Sequence, residues 1–333
     1  MAQTASICVI IAAKNAADTI EVAVKSALRE PEVAEVVVVD DGSNDGTAQA
    51  AGRADDASGR LNVIRFEKNR GPSAARNHAI DISSAPLIAI LDADDFFFEG
   101  RFRRMLADSD WEFVADNIAF VDADTVEQAP QKLDVFADSP LFLDLATFVD
   151  GNISKPGVRR GEIGFLKPIM RRSFLDGHGL RYREEMRLGE DYDLYIRALA
   201  HGARYKVIHS CGYGAVVRSN SLSGSHRTED LRRLYEADRA LLGSSTGLPP
   251  RAVDAVRRHE RHVRGKYELR RFLDIKAQSG ALAALAYIAA NPFAFPAIAT
   301  GIVMDKTERL RNPGGVAVTQ SGRLRYLLDA PAK

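Results

Sequence analysis

Strand-length segments that close on polar residues constrain this chain most. Three are continuous apolar runs, at 7–13, 36–39 and 88–91, and a fourth strand-like segment occupies 61–66. An apolar run without alternation is what a parallel strand covered on both faces requires. Helical spacing fills the gaps. After Ala17, the residues Ile20, Ala23, Val24, Ala27 and Leu28 fall on one helix face, and Asp18 or Thr19 is placed to cap its start. Asn44-Asp45-Gly46-Thr47 leads into an Ala-rich helix, and Asn69-Arg70-Gly71-Pro72-Ser73 turns into a helix over 74–82. The alternation of strand and helix implies an α/β fold with a parallel sheet and right-handed crossovers.

Three of these strands end in polar groups at one sheet edge: Lys14-Asn15, Asp40-Asp41 and Asp92-Ala93-Asp94-Asp95. Ligands of open α/β sheets bind at that edge. Asp-Ala-Asp in extended backbone turns both carboxylates to the same side. Their repulsion is relieved by a hard cation such as Mg²⁺ or Mn²⁺, which takes one or two protein carboxylates and fills its shell with water and phosphates. A strand end with an acidic turn is the plainer account of any single Asp-x-Asp. Convergence of three strand ends favours the metal–diphosphate site. A buried Asp pair such as Asp40-Asp41 is costly without partners, such as donors on a base or ribose, or a cation.

Four segments in order carry a family resemblance: Val9-Ile10-Ile11 with Asn15; Val39-Asp40-Asp41-Gly42-Ser43-Asn44-Asp45-Gly46-Thr47; Asn69-Arg70-Gly71 with Ala75-Arg76-Asn77; and Leu91-Asp92-Ala93-Asp94-Asp95. The chain resembles the family 2 nucleotide-sugar glycosyltransferases of bacterial exopolysaccharide assembly, the succinoglycan kind among them. The resemblance implies a GT-A fold with a mostly parallel central sheet. It also implies that Asp40 and Asp41 hold the uracil and ribose of a UDP-sugar, with Ala12 and Asn15 at the first strand end beside them. Arg76 would contact the nucleotide, and Asn69 and Asn77 would shape its loop. Asp92 and Asp94 would be the DXD pair, Asp94 closest to the Mn²⁺ or Mg²⁺ and Asp92 nearer the ribose. The first strand end here reads Ala12-Ala13-Lys14-Asn15, without the Tyr usual in the family.

A second informative stretch is Leu188-Gly189-Glu190-Asp191-Tyr192, preceded by Ile169-Met170-Arg171-Arg172. Leu194, Ala198 and Leu199 have helical spacing, which puts Glu190 and Asp191 at a helix N-terminus, where carboxylates favour the macrodipole. By resemblance, Asp191 is the general base that takes the acceptor proton. Inverting transfer needs one base opposite the leaving group and no enzyme nucleophile. Arg218, in an Arg/His-rich segment that also holds His226, would approach the diphosphate, and the loop 151–161 brings Arg159 and Arg160 as lid cations.

Other segments have plainer readings. Phe96-Phe97-Phe98 anchors the next helix to the sheet. Asp122 and Asp124 are a turn. The segments 113–115 and 118–121 read as one or two further strands, 131–160 is irregular, and 205–210 with 213–217 forms a closing hairpin. The catalytic domain spans 1–228, with a nucleotide-binding half at 1–100 and an acceptor half at 101–228, and an α-helical region spans 229–333. In that region 251–276 carries nine Lys and Arg against four Asp and Glu, and 277–304 carries no charge. Three readings stand for it: a helical hairpin packed on the catalytic domain, a membrane-surface element suited to anionic lipid, and a transmembrane helix.

The formal net charge is zero, against a nucleic-acid binder, which needs a basic surface. Cys8 and Cys211 have no CxxC neighbour and read as buried thiols. No signal peptide is evident at the N-terminus, so the expected location is cytoplasmic, peripheral to the inner face of the membrane. The expected acceptor is an oligosaccharide or a polyprenyl-diphosphate-linked glycan, with glucose the expected donor sugar. Two other classes stand beside this one. A sugar nucleotidyltransferase would carry a Gly-rich loop after the first strand, and a non-catalytic scaffold would be expected to lose Asp94 or Asp191.

Overall fold

The computed structural model describes residues 6–123, 141–154, 162–217, 227–244, 247–311 and 325–328, with side chains of the last helix to residue 303. Asp124, Arg159, Arg160, Arg218 and His226 lie outside the described residues. The chain divides into two compact units, Met1–Ser221 with Leu324–Lys333, and Leu222–Arg323.

The first unit begins as its apolar runs require. β1 (Ile7–Ala13), α1 (Ile20–Leu28), β2 (Val33–Asp40), α2 (Thr47–Arg53), β3 (Leu61–Arg65), α3 (Pro72–Ile82) and β4 (Leu87–Ile90) alternate along the chain. The strands lie side by side and parallel, with Ala13 opposite Asp40, Asp40 opposite Arg65 and Ile10 opposite Ile90. β1 and β4 are buried along nearly their whole length, as strands with helices on both faces must be.

The second half follows with β5 (Phe96–Phe97), α4 (Arg101–Met105), β6 (Phe113–Asp122), β7 (Leu141–Leu143), α5 (Leu145–Asp150), β8 (Ile169–Arg171), α6 (Arg172–Gly177), α7 (Glu190–Ala200) and β9 (Tyr205–Val217). The sheet order is β3-β2-β1-β4-β8-β6-β9-β5. β8 is antiparallel to both β4 and β6, so the sheet is mixed beyond its parallel first half. Phe96 and Phe98 pack in a core cluster with Ala119, Val121 and Cys211, which makes them anchors of the sheet. Cys8 and Cys211 are free, buried thiols, and burial pushes Cys8 up to about 12.

Three expectations are corrected here. The closing hairpin is one continuous strand, β9, whose register with β6 shifts around Asn117. Gly212 sits at that irregularity, where a Cβ would meet Arg101 and Asp116, so a close approach replaces the expected turn. The segment taken as irregular contains β7 and α5. Asp144 caps α5 by accepting from the Thr147 amide (2.6 Å), and α5 buries Leu145, Ala146, Phe148 and Val149. The region after 229 is not all helical, since Arg325 and Tyr326 form a short strand.

The second unit holds α8 (Thr228–Ser244), α9 (Pro250–Ala290) and α10 (Phe295–Arg311). α9 is broken at Gly280, whose φ of 84° lies in the left-handed region. Past the break the chain folds back. Ala284 joins Phe272, Ala294 and Ile298 in one apolar cluster, and the Tyr287 hydroxyl donates to Glu268 (2.5 Å). Among the described residues no single helix is long and apolar enough to cross a membrane. The pair Pro250–Ala290 and Pro292–Val303 passes that test only jointly and is bent by 101°.

After the helices, β10 (Arg325–Tyr326) adds antiparallel to β6, with Tyr326 opposite Ala119. The Asn117 amide group donates to the Leu328 carbonyl (2.9 Å) and accepts from its N–H (2.8 Å).

Candidate active site

The C-terminal ends of β2, β1 and β4 are adjacent, so three polar strand ends share one edge. At the first, Ala12 lies inside β1 opposite Val39, and Asn15 takes a left-handed φ of 49°. The Asn15 amide donates to Ser43 Oγ (2.8 Å), and Asn15 Oδ1 accepts from the Asn44 amide (3.1 Å). Lys14 donates to the Gly42 carbonyl. These bonds weld the β1 end to the turn after β2.

In that turn Asp40 and Asp41 are buried. Asp40 accepts from the Ser43 amide (2.8 Å) and lies 3.5 Å from Arg65 Nε. Asp41 accepts from the amides of Arg70 (2.6 Å) and Gly71 (2.9 Å). The carboxylates that a buried strand end could not leave unpaired thus find backbone and guanidinium donors, and they hold the loop before α3 in place. Gly42 makes this possible. Its φ is 69°, and a Cβ there would come within 2.9 Å of the Lys68 carbonyl carbon. Beside Asp40 an open cleft of about 510 Å³ is lined by Arg65, Phe66, Glu67, Lys68 and Arg70.

α3 carries Arg76 and Asn77 inward. Asn77 exchanges two hydrogen bonds with the Tyr182 backbone (2.8 and 2.9 Å). Arg76 is buried and joins three carboxylates from distant parts of the chain: Asp92 (3.0 Å), Glu190 (3.0 Å) and Asp191 (3.4 Å). Lys167, which no sequence signal marked, completes the group. Its ammonium lies 2.8 Å from Asp191 and 3.0 Å from Asp92. Burial works against that charge, but Asp191 and Asp92 outweigh it and hold the lysine above its usual range. Burial likewise opposes the Asp92 charge, yet Lys167 and Arg76 bring its carboxyl down to about 2. The α7 N-terminus, with Gly189 at φ 70°, delivers Glu190 and Asp191 to this cluster.

A second layer positions Lys167. Arg101 and Asp116 form an ion pair with both side chains fully buried, and Arg101 Nη2 also donates to the Lys167 carbonyl (2.6 Å). The guanidinium stacks over Phe97 and Tyr213. Tyr213 in turn accepts from the Asp92 amide (3.1 Å) and donates to Asp95 (2.8 Å). Burial, then the charges of Asp92 and Asp94, push the Asp95 carboxyl up to about 8.

Asp92 and Asp94 differ in their surroundings. Both oxygens of Asp92 are taken by cations, whereas Asp94 is exposed at the sheet edge. Among the described residues no group of three His, Cys, Asp or Glu side chains could enclose an ion. One exposed carboxylate suits an ion that draws the rest of its shell from a diphosphate and water. Of the other expected site residues, Arg218 lies outside the described residues.

Residues 8–176 match the family described as Glycosyl transferase family 2. The chain belongs to that family. It is a glycosyltransferase, which sets aside the nucleotidyltransferase and scaffold readings. The succinoglycan biosynthesis protein ExoU of Rhizobium meliloti is 64% identical to it, over 98% of this chain and 96% of ExoU. An Escherichia coli relative, the UDP-Glc:α-D-GlcNAc-diphosphoundecaprenol β-1,3-glucosyltransferase WfaP, is 24% identical over 68% of this chain and 82% of its own length. The crystal structure of S. aureus TarS 1–349 in complex with UDP-GlcNAc aligns with TM-score 0.59 at 19% identity, covering 88% of this chain and 81% of TarS 1–349. That likeness shows the shared GT-A fold.

Proposed function

We propose that this family 2 enzyme transfers glucose with inversion from UDP-glucose to a hydroxyl of a polyprenyl-diphosphate-linked oligosaccharide during assembly of a succinoglycan-like polymer. The observation that carries the reading is the single cluster in which Lys167 and Arg76 join Asp191 to Asp92. A base for the acceptor and a carboxylate of the donor side are thereby held together at the strand edge where nucleotides bind. The names of ExoU and WfaP support the polymer, the donor sugar and the lipid-linked acceptor.

Asp191 takes the proton of the acceptor hydroxyl as that oxygen bonds to C1 and the bond from C1 to the diphosphate breaks, releasing UDP. Asp40, Asp41, Asn15 and Ala12 frame the nucleotide end of the site. Arg76 has a buried Nε that finds no acceptor among the described residues, so a donor remains for a bound nucleotide. Asp94 is the residue to hold Mn²⁺ or Mg²⁺ together with the diphosphate. Such an ion, when bound, supplies charge neutralisation for the departing UDP.

Thermal shift and turnover test this. UDP raises the melting temperature in the presence of Mn²⁺ by mass action, and Asp94→Ala removes the metal-dependent part. Asp191→Asn keeps the UDP shift and loses transfer by about a hundredfold or more. Wild-type turnover by Asp191→Asn would exclude it as the base, and a shift with another nucleotide alone would change the donor.

A further inference from the structure

A helix that is apolar on every face belongs either in a core or in lipid. The stretch after Gly280 is of this kind. One face packs inward, where Ala284, Ala294 and Ile298 meet Phe272. Exposed along the same stretch are Leu282 (84%) and Leu285 (60%) on the helix and Phe293 (93%) and Phe295 (54%) just past its end. No charged residue occurs from 277 to 304. Leu282 and Leu285 are three residues apart on the same helix, so they lie on one stripe. Water is a poor neighbour for such a surface, since burying each large side chain is favourable in proportion to its apolar area.

The flank has the opposite character. Over 251–276, nine Lys and Arg face four Asp and Glu. Arg257, Arg261, Arg264, Arg270, Arg271 and Lys276 are exposed. A cationic helix leading into an apolar tip is the pattern that binds anionic lipid headgroups with the charge and acyl chains with the tip. The 101° bend between Pro250–Ala290 and Pro292–Val303 keeps the element from running straight through a bilayer. The ten residues from 281 to 290 reach only about 15 Å as helix, half of a hydrocarbon core of about 30 Å.

We propose that this bent apolar tip and its basic flank dock the protein on the surface of an anionic bilayer, with Leu282, Leu285, Phe293 and Phe295 inserted to the depth of the headgroup–acyl boundary. A second copy of the chain fits the surface less well. Two-fold pairing through the tip would bring two basic flanks together, and like charges repel. The inference stands apart from the chemistry at Asp191, because lipid binding needs no turnover.

The test is flotation of the full-length protein with vesicles of phosphatidylglycerol and phosphatidylcholine, and with vesicles of phosphatidylcholine alone. The wild type floats with the anionic vesicles. Leu282→Ser/Phe293→Ser keeps its melting temperature, since both side chains stand in water, and its bound fraction falls about tenfold or more. Arg261→Glu/Arg271→Glu loses the preference for anionic lipid. Wild-type protein that stays unbound to the anionic vesicles overturns the proposal, as does a Leu282→Ser/Phe293→Ser variant that floats like the wild type. A lipid-free dimer that this variant dissolves, without flotation of either protein, assigns the tip to a second copy and overturns it too.

Discussion

Lys167 sits where the two halves of the site meet, with Asp92 on one side and Asp191 on the other. An ammonium so placed helps hold the Asp92 carboxyl low and bridges it to Asp191. Removing it leaves Arg76 to serve three carboxylates alone. Breaking a buried pair by deleting one partner strands charge, at a cost of about 3–5 kcal/mol in fully buried cases. Here Asp92 keeps partial access to water, so the loss is smaller. We expect Lys167→Met to fold with a lowered melting temperature and to lose kcat by about a hundredfold, with a smaller change in the KM for donor. Lys167→Arg restores part of kcat. A loss confined to melting temperature, with kcat intact in Lys167→Met, would leave the residue a structural role only. The same logic explains Arg101 and Asp116. Their pair is fully buried, and Arg101 also donates to the Lys167 carbonyl.

At the scale of elements, the sequence was most legible where burial leaves no choice. β1, β2 and β4 are continuous apolar runs, and each is central in the parallel half. β9 is divided at Cys211-Gly212 in the sequence reading. Gly212 stands instead where Arg101 and Asp116 press against the backbone, as Phe96 does at Gly214 within the strand. α9 makes an element-scale prediction. His262 lies on it, and burial, with Lys266 and His259 adding to it, pushes its imidazole down to about 4. In the unfolded chain a histidine titrates near about 6.5. As pH falls from about 6.5 to 4, the unfolded chain takes up a proton that the folded one refuses, so stability falls across that window. His262→Gln flattens this slope. Melting curves at pH 7 and pH 4.5 check it, and an unchanged slope in the variant would place the acid sensitivity elsewhere.

For the molecule as a whole, the polar sheet edge could be read from strand ends, whereas the cluster inside it could not. Arg76 and Glu190 are 114 residues apart, and Lys167 precedes a proline in a segment without periodicity. Only folding brings such groups together. Two-residue strands like β10 carry no pattern at all, yet β10 has the widest consequence. The polypeptide leaves the catalytic unit near Ser221 and comes back to it at Leu324, where Arg325 and Tyr326 pair with β6. A chain ended at residue 230 therefore bares part of the β6 edge, and an unpaired edge invites association. We expect that fragment to melt lower and to self-associate in sedimentation, and a monomer as stable as the full chain would dismiss the strand's importance. Leu222–Arg323 is thus an insert in the sequence of the enzyme, with chain belonging to the first unit on either side of it.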